Sequence, residues 1–416
     1  MYKNNNLCCE TVKIEDIARK VGTPFYLYSY ATLLDHYRKL RKALAPIKPL
    51  ICFSMKSNSN LAVCRALVKE GAGLDIVSGG ELYKALRVGA DPRKIVYASV
   101  GKTAMEIDVA IRKGILFFNV ESIAELVMIE KICKRRRKKM RISLRINPSV
   151  KAATHHFITT GISENKFGID FNAARMIFRR RQAFPHLDII GLHMHIGSQI
   201  IDKAPFVNAL RKMACFIKEL RADGIRVDYI NIGGGLGIIY SKERPQTARS
   251  YAKAVLPILK KLKVKVIFEP GRFISGNSGV LITKVLYVKQ SPGKRFIIVD
   301  AGMNDLIRPA LYDAYHEILP VKSLGGRQRL LKADVVGPIC ESADFLAKNR
   351  RLPEVKEGDL LAVMGTGAYG FSMSSNYNAR PRAAEVMVIR GRYYIVRQRQ
   401  TYQDLIRGEV IPKVLR

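Results

Sequence analysis

Residues 189–232 read IIGLHMHIGSQIIDKAPFVNALRKMACFIKELRADGIRVDYINI, and the fold is decided by this stretch. It opens on a short β-branched run at 189–194 and closes on another at 229–232. Between them, Phe206, Leu210, Met213, Ile217 and Leu220 fall on one face of a helix-length segment at a 3.6-residue period. A strand, a helix and a second strand in that order make one unit of a parallel sheet. Working outward, similar runs recur at 50–54, 74–77, 95–98, 116–120, 142–146 and 264–268, with helix-length segments between most of them. Eight such units are the number that closes a TIM-type (β/α)8 barrel. The fifth carries a long insertion, 147–168, before its helix.

Beyond residue 271 the rhythm changes. Runs at 280–289, 295–299, 330–336, 360–364, 384–389 and 392–396 are separated by turns instead of helices. They predict a second, mostly antiparallel β domain. The expected division is a barrel over 28–270 and a β domain over 271–416 that also takes in 1–27.

Composition narrows the function. Apolar residues make up 48% of the 416, enough for substantial cores, so a wholly disordered chain is excluded. No apolar run reaches the roughly 18 residues that span a bilayer, and the N-terminus MYKNNNLCCE has no signal-peptide core, so neither a membrane span nor export is expected. Seven scattered cysteines with no CxxC pair argue against a disulfide scaffold or a zinc ribbon and for a reducing, cytoplasmic setting. The anomaly is charge: 71 Lys and Arg against 35 Asp and Glu give a formal +36. Alone, that balance suggests a nucleic-acid or anionic-surface partner. Helix-turn-helix, zinc-finger and RNA-recognition signatures are absent, however, and the tyrosines do not interleave the basic runs.

In a barrel, chemistry belongs at the C-terminal ends of the strands, and unusual residues cluster just there. Lys56 follows the first run in CFSMKSNSN; a lysine at such a mouth can form a Schiff base, or it can be a plain surface lysine. GLHMHIGSQ places His193, His195 and Ser198 after the sixth run. Histidines at i and i+2 of a strand point the same way, which permits a metal, but no acidic or cysteine ligand completes the set, and hydrogen-bonded core histidines are the alternative. NIGGGLGI after the seventh brings Gly233, Gly234 and Gly235, whose backbone can approach a phosphate closely or make only a tight turn. Phosphate sites in barrels commonly follow strands seven and eight. FEPGR ends the eighth with Glu269, Gly271 and Arg272; a carboxylate there needs a partner, either a protonated ring nitrogen or Arg272 itself. A lysine, a histidine, a phosphate cradle and a carboxylate at one mouth together outline a pyridoxal 5'-phosphate site.

With those residues in view, the chain resembles the diaminopimelate decarboxylase family, pyridoxal-phosphate enzymes of fold type III with an alanine racemase-like barrel and β domain. The resemblance runs from about residue 21 to 388. Its markers are FSMKSNSN, GAGLDIVSGGEL, NVES, THHFITTGISENKFGI, GLHMHIGSQI, NIGGGLGI, EPGR, DAGMNDLIRPALY, VGPICESADFLA and GAYGFSMSSNYNARPRAAEV. The last three separate this family from its relatives. It implies that Lys56 is the Schiff-base lysine and that His195 stacks on the cofactor ring. Ser198, Gly234, Gly235, Gly271 and Arg272 would hold the cofactor, and Glu269 would keep its pyridine nitrogen protonated, a hydrogen bond worth on the order of 1.5–3 kcal/mol. Tyr369 matches the tyrosine that reaches phosphate and substrate. Cys340 matches the cysteine assigned as proton donor, on a segment that the family places at a dimer interface, so a homodimer with shared active sites follows.

The same resemblance assigns Arg308, Tyr312, Arg272, Glu341 and Tyr369 to the substrate. Bidentate arginine is the natural receptor for a distal carboxylate and repels the cationic tail of ornithine or arginine. Glu341 suits a distal ammonium. A molecule with amino-acid functions at both ends fits, meso-2,6-diaminopimelate, with L-lysine and CO2 as products. The alternatives are another diamino-acid decarboxylase of the same fold, of carboxynorspermidine, ornithine or arginine type, and a cofactor carrier with no chemistry of its own. Departures from the family pattern are Ser54 and Ser57 beside Lys56, Lys151, His156-Phe157, and Ala343. The charge is expected to form a basic belt, with runs at 134–139, 179–181 and 260–265 at the barrel end opposite the mouth, near helix C-termini.

Overall fold

The computed structural model describes residues 1–150, 166–323 and 329–415. The Lys151 and His156-Phe157 departures lie outside the described residues. The chain divides into two compact units, Leu34–Ser275 and a second built from Met1–Leu33 with Gly276–Arg416.

At the N-terminus, β1 (Tyr2–Lys3), β2 (Asn6–Cys9) and β3 (Val12–Lys13) form a small sheet, followed by β4 (Phe25–Ser29). The next eight strands are β5 (Leu50–Ser54), β6 (Gly73–Ile76), β7 (Ile95–Tyr97), β8 (Phe117–Val120), β9 (Met140–Arg145), β10 (Leu187–His193), β11 (Tyr229–Asn231) and β12 (Lys265–Phe268). All pair in parallel and in chain order, and Ile267 opposite Leu50 closes the barrel. Each of the eight apolar runs is therefore a barrel strand, with ends shifted by a few residues at most. β8 is buried throughout and β5 and β10 almost so, which is why these runs read as unbroken apolar segments without alternation.

The outer helices take their ends from local sequence. Thr103 and Glu106 form a reciprocal capping box at the start of helix Ala104–Lys113, and Gly114 ends it with φ 67°, the left-handed geometry that a Cβ resists. Helix Ala204–Ala222 buries Phe206, Leu210, Met213, Ile217 and Leu220, the stripe expected from the sequence, together with Ala209 and Phe216. The basic runs lie where expected. Lys134, Arg135 and Arg136 fill the last turn of helix Ile123–Arg136, and Lys260 and Lys261 that of Ala248–Leu262. Each run leads into the N-terminal end of a strand, away from the mouth. Asp108 pairs with Arg112, Arg135 and Arg136, so part of this charge is matched locally.

In the other unit, β13 (Gly279–Ser291), β14 (Lys294–Val299), β15 (Ile318–Pro320), β16 (Leu330–Val336), β17 (Phe345–Pro353), β18 (Leu360–Val363), β19 (Ala384–Ile389) and β20 (Arg392–Arg397) join β4 in one sheet. Pairing is mostly antiparallel, with β14–β16 and β4–β19 parallel. The first half of β13 pairs with β4 and β18, and beyond an irregularity at Val285–Tyr287 its second half pairs with β14. Ile17, Phe25, Leu27, Ile282, Ala362, Val386 and Val388 meet in its core. Three of these strands have no counterpart among the sequence runs. β4 is buried at every position, and β15 is only three residues long. β17 ends the strand order and carries Lys348, Arg350 and Arg351, charges that protect an edge from pairing with another chain.

Among the described residues, no helix is long and apolar enough to cross a membrane.

Candidate active site

The barrel mouth is assembled from residues at or just beyond the strand ends. Lys56 is exposed in a single 3-10 turn after β5, between buried Met55 and Ser57. Beside it Asp75, on β6, is buried, and its Oδ2 accepts a 2.5 Å hydrogen bond from Ser54 Oγ. Its Oδ1 has no hydrogen-bond partner among the described residues. Ser57 Oγ donates to the Ser54 carbonyl at 2.8 Å and lies 3.2 Å from Ser275 Oγ. Both serines that depart from the family pattern therefore have hydrogen-bonding work in the turn that carries Lys56.

Glu269 follows β12 and is the most highly coordinated carboxylate of the mouth. Asn119 Nδ2 from β8 and Asn231 Nδ2 from β11 donate to Oε1 at 3.1 and 2.5 Å. His193 Nε2, at the end of β10, lies 3.2 Å from Oε2. Burial opposes ionisation of Glu269, but the field and hydrogen bond of His193 and the Asn231 amide outweigh it, holding the carboxyl down at about 2. Asp75 moves the other way. Burial and the Glu269 charge push its carboxyl well above the ordinary range, against the attraction of Lys56 and the Ser54 hydroxyl.

That raised group yields a stability prediction. A carboxyl that prefers to be neutral when folded costs stability above its folded pKa, and the cost disappears below its unfolded pKa. Asp75→Asn can still accept from Ser54. It is expected to raise the melting temperature of the cofactor-free protein at neutral pH, with a gain that shrinks as pH falls toward the ordinary carboxylate range near 4. Melting curves across pH decide it; a gain that grew in acid would contradict the assignment.

β10 ends at His193, so the alternation that would aim two histidines alike stops before His195. His193 turns to Glu269, whereas His195 Nδ1 accepts the Gly234 N–H at 3.2 Å. Burial, followed by the nearby cations Lys56 and Arg145, holds the His195 imidazolium well below its usual pKa. The half-buried His195 ring is thus a neutral, flat surface at neutral pH.

The glycines are there because nothing larger fits. A Cβ on Gly234 would lie 2.2 Å from the Glu269 carbonyl oxygen, and one on Gly235 would lie 2.6 Å from that of Gly197. Gly235 also has φ +107°, a conformation side chains resist. Arg272 is buried beside this loop. Its Nε and Nη2 reach Ser198 Oγ at 3.3 and 3.1 Å, and Nη1 donates to Tyr240 Oη at 2.6 Å. Gly271 packs on Ser54 and Ser57, where a Cβ would sit 3.0 Å from Ser57 Oγ. Within the barrel unit, therefore, the end that bears Lys56 also bears His195, Ser198, Gly234, Gly235, Glu269, Gly271 and Arg272.

The β unit carries the remaining candidates on separate segments. Arg308 and Tyr312 bound one short helix, and Arg308 is buried with Nη1 2.8 Å from His316 Nε2. Cys340 and Glu341 are exposed on one loop. The Cys340 N–H donates to Asn378 Oδ1 at 2.7 Å, and Asp344 accepts from the Met303 and Ile339 N–H groups at 2.6 Å each. Tyr369 adopts φ +58°, an unusual conformation for a residue with a Cβ.

Sequence reasoning missed several supports. Asp75, Asn119 and Asn231 are single polar residues inside apolar strands, and that interruption was their only signal. Lys102 was also missed; its side chain is fully buried, pairs with Glu125 at 2.6 Å and donates to the Asn119 carbonyl at 3.0 Å, fixing the strand end that serves Glu269.

Residues 30–276 match the family model described as "Pyridoxal-dependent decarboxylase, pyridoxal binding domain". Over 404 residues the chain is 47% identical to a Vibrio cholerae protein named diaminopimelate decarboxylase, spanning 97% of this chain and 96% of that one. The chain belongs to the diaminopimelate decarboxylase family. An Aquifex aeolicus diaminopimelate decarboxylase is 45% identical over 97% of this chain and 96% of its own. Among solved structures, the Helicobacter pylori diaminopimelate decarboxylase in complex with L-lysine superposes with a TM-score of 0.91 at 42% identity, covering 95% of this chain and 98% of that one. The M. jannaschii family member, also in complex with L-lysine, reaches 0.95 at 36% identity over 100% and 98%.

Pyridoxal phosphate is the family's cofactor, and the residues present fit it. A buried carboxylate that accepts from two amides and is held ionised beside His193 suits a protonated ring nitrogen. A neutral imidazole suits the flat face of the ring. Crowded glycines beside a buried arginine suit a phosphate.

Proposed function

We propose that this chain decarboxylates one end of meso-2,6-diaminopimelate, giving L-lysine and CO2, with pyridoxal 5'-phosphate as cofactor. The observation that carries the reading is the ionised, three-fold coordinated Glu269 at a barrel mouth that also bears Lys56. When bound, the cofactor supplies an electron sink for the bonding pair left behind as CO2 departs.

The protein's residues then divide the work. Lys56 would tether the cofactor through its amine, and His195 would pack on the ring. Glu269 would hold a proton on the pyridine nitrogen, while Ser198, Gly234, Gly235, Gly271 and Arg272 would grip the phosphate end. Cys340 would return a proton to the carbon that has lost CO2. Arg308, with Tyr312, Tyr369 and Arg272, would bind the distal carboxylate, and Glu341 the distal ammonium. Because Cys340 and Glu341 are exposed in the single chain, they are available to complete the site of a second copy, in a homodimer with shared active sites. None of the seven cysteines forms a disulfide, in keeping with a cytoplasmic enzyme. The basic belt is read as a solvated surface and not as a specific nucleic-acid site, with much of its charge at helix C-termini.

The decisive experiment is CO2 release by the purified holoenzyme from meso-diaminopimelate, L-ornithine, L-arginine and L-lysine in parallel. Release from diaminopimelate far above the other three is expected; comparable release from any of them overturns the distal-carboxylate reading. Borohydride reduction followed by peptide mapping is expected to find the cofactor on Lys56. Attachment to any other lysine would reject the tether.

A further inference from the structure

His316 is fully buried in the β unit, just beyond the helix Arg308–Tyr312. Its Nδ1 lies 2.8 Å from the Met364 carbonyl oxygen, and its Nε2 lies 2.8 Å from Arg308 Nη1. A carbonyl only accepts hydrogen bonds, and a guanidinium only donates them. The ring must therefore carry its proton on Nδ1 and present a bare lone pair to Arg308. One tautomer of one charge state, the neutral one, satisfies both neighbours.

The surroundings hold this arrangement from several sides. Asp313, with φ 49°, turns the chain back after the helix, and the Ala314 N–H donates to the Arg308 carbonyl at 3.3 Å. Ile318 pairs with Val363, and the Met364 N–H donates to the Glu317 carbonyl at 2.8 Å, which registers the histidine against its acceptor. From β17, Arg350 donates to the His316 carbonyl at 2.9 Å and stacks 3.8 Å from the centre of the Tyr315 ring. Among the described residues, these contacts bring Arg308 and Arg350 against the histidine, and the exposed carboxylate of Glu317 is next along the chain.

We propose that His316 is a positioning residue for substrate recognition, aiming the Arg308 guanidinium at the substrate's distal carboxylate and making that recognition weaken in acid. The inference rests on the reading of Arg308 as the carboxylate receptor. An arginine already held in place has less freedom to lose when the carboxylate arrives, so the gain appears in binding. A second proton on the ring would set N–H against N–H and place a third positive charge beside two guanidinium groups. The bond that aims Arg308 would then be lost.

The test uses the holoenzyme with His316→Leu, His316→Gln and Arg308→Ala. Glutamine can donate to Met364 and accept from Arg308 without titrating, whereas leucine can do neither. His316→Leu is expected to raise KM for meso-diaminopimelate by about 10-fold or more, as for a lost hydrogen bond to a charged group, with kcat little changed. It should weaken inhibition by L-lysine, which keeps the distal carboxylate, and leave inhibition by 1,5-diaminopentane, which lacks it, unaltered. His316→Gln should restore KM and abolish the acid-side rise in KM of the parent.

Equal weakening toward both inhibitors, or an unchanged KM in His316→Leu, overturns the proposal. Should the leucine variant fail to fold, the glutamine variant decides alone, since an acid-side rise identical to the parent's contradicts it. Arg308→Ala separates the two levels. If it leaves KM and the inhibitor contrast untouched, the receptor reading is wrong; if it raises KM while His316→Leu does not, only the positioning role fails.

Discussion

Replacing Glu269 with glutamine is expected to lower turnover by on the order of 10²–10³-fold while the cofactor stays bound, the loss typical of a preorganised electrostatic group. The substitution keeps the shape of the side chain. The glutamine oxygen can still accept from Asn119 and Asn231, and its amide would then face His193 Nε2. His193 can answer by moving its proton to Nδ1, an atom with no hydrogen-bond partner among the described residues. Packing is therefore preserved and the negative charge is what is removed. That charge is present throughout the working pH range, because its neighbours hold the Glu269 carboxyl at about 2. An acid-side decline in kcat/KM must then come from a group other than Glu269. Steady-state rates together with the absorbance of bound cofactor check the prediction. Unchanged turnover would remove the charge from the mechanism, and loss of cofactor would move Glu269 from chemistry to binding.

The barrel was legible because its signal is repeated eight times, and a strand buried on both faces reads as an apolar run whatever its neighbours. The β unit was less so. β4 belongs to the N-terminus yet lies between β13 and β19, a pairing between residues more than 250 positions apart that no local pattern encodes. At the mouth, Lys56, His195, Glu269 and Arg272 stood out as polar residues placed just after apolar runs. Asp75, Asn119 and Asn231 sit within such runs, where a lone polar side chain looks the same whether it serves a site or the core. The contact between Arg308 and His316 was invisible for another reason. It spans eight residues across a left-handed turn, and neither the helical nor the strand period links those positions.

Part of the excess of positive charge, the loudest feature of the composition, lies away from the barrel mouth. Its runs occupy the ends of helices that feed into the strand starts, and Asp108 alone pairs with three arginines there. At the opposite end of the barrel, Arg272 is buried and bound to Ser198 and Tyr240. Position and partners, not number, distinguish an arginine that can bind a phosphate from one that is only solvated.

Cys340→Ala is expected to lower turnover by about 10²–10⁴-fold, the usual contribution of a positioned proton donor, with cofactor binding little affected. An exposed cysteine has no packing reason for its place, yet this one is held through its own backbone and that of the residue before it. Its own N–H is fixed by Asn378, which itself adopts φ 54°, and the preceding N–H, of Ile339, is fixed by the buried carboxylate of Asp344. The same carboxylate accepts from Met303, tying the cysteine loop to the segment that leads into Arg308. Such bracing suits a side chain that must keep a set position. Removing the thiol should therefore leave stability and cofactor absorbance near those of the parent and depress kcat alone. Cys340→Ser, which keeps a weaker acid at the same position, should fall between the two. A rate in the alanine variant equal to that of the parent would assign the proton to another donor, and a parallel fall in cofactor affinity would make the loop's role structural.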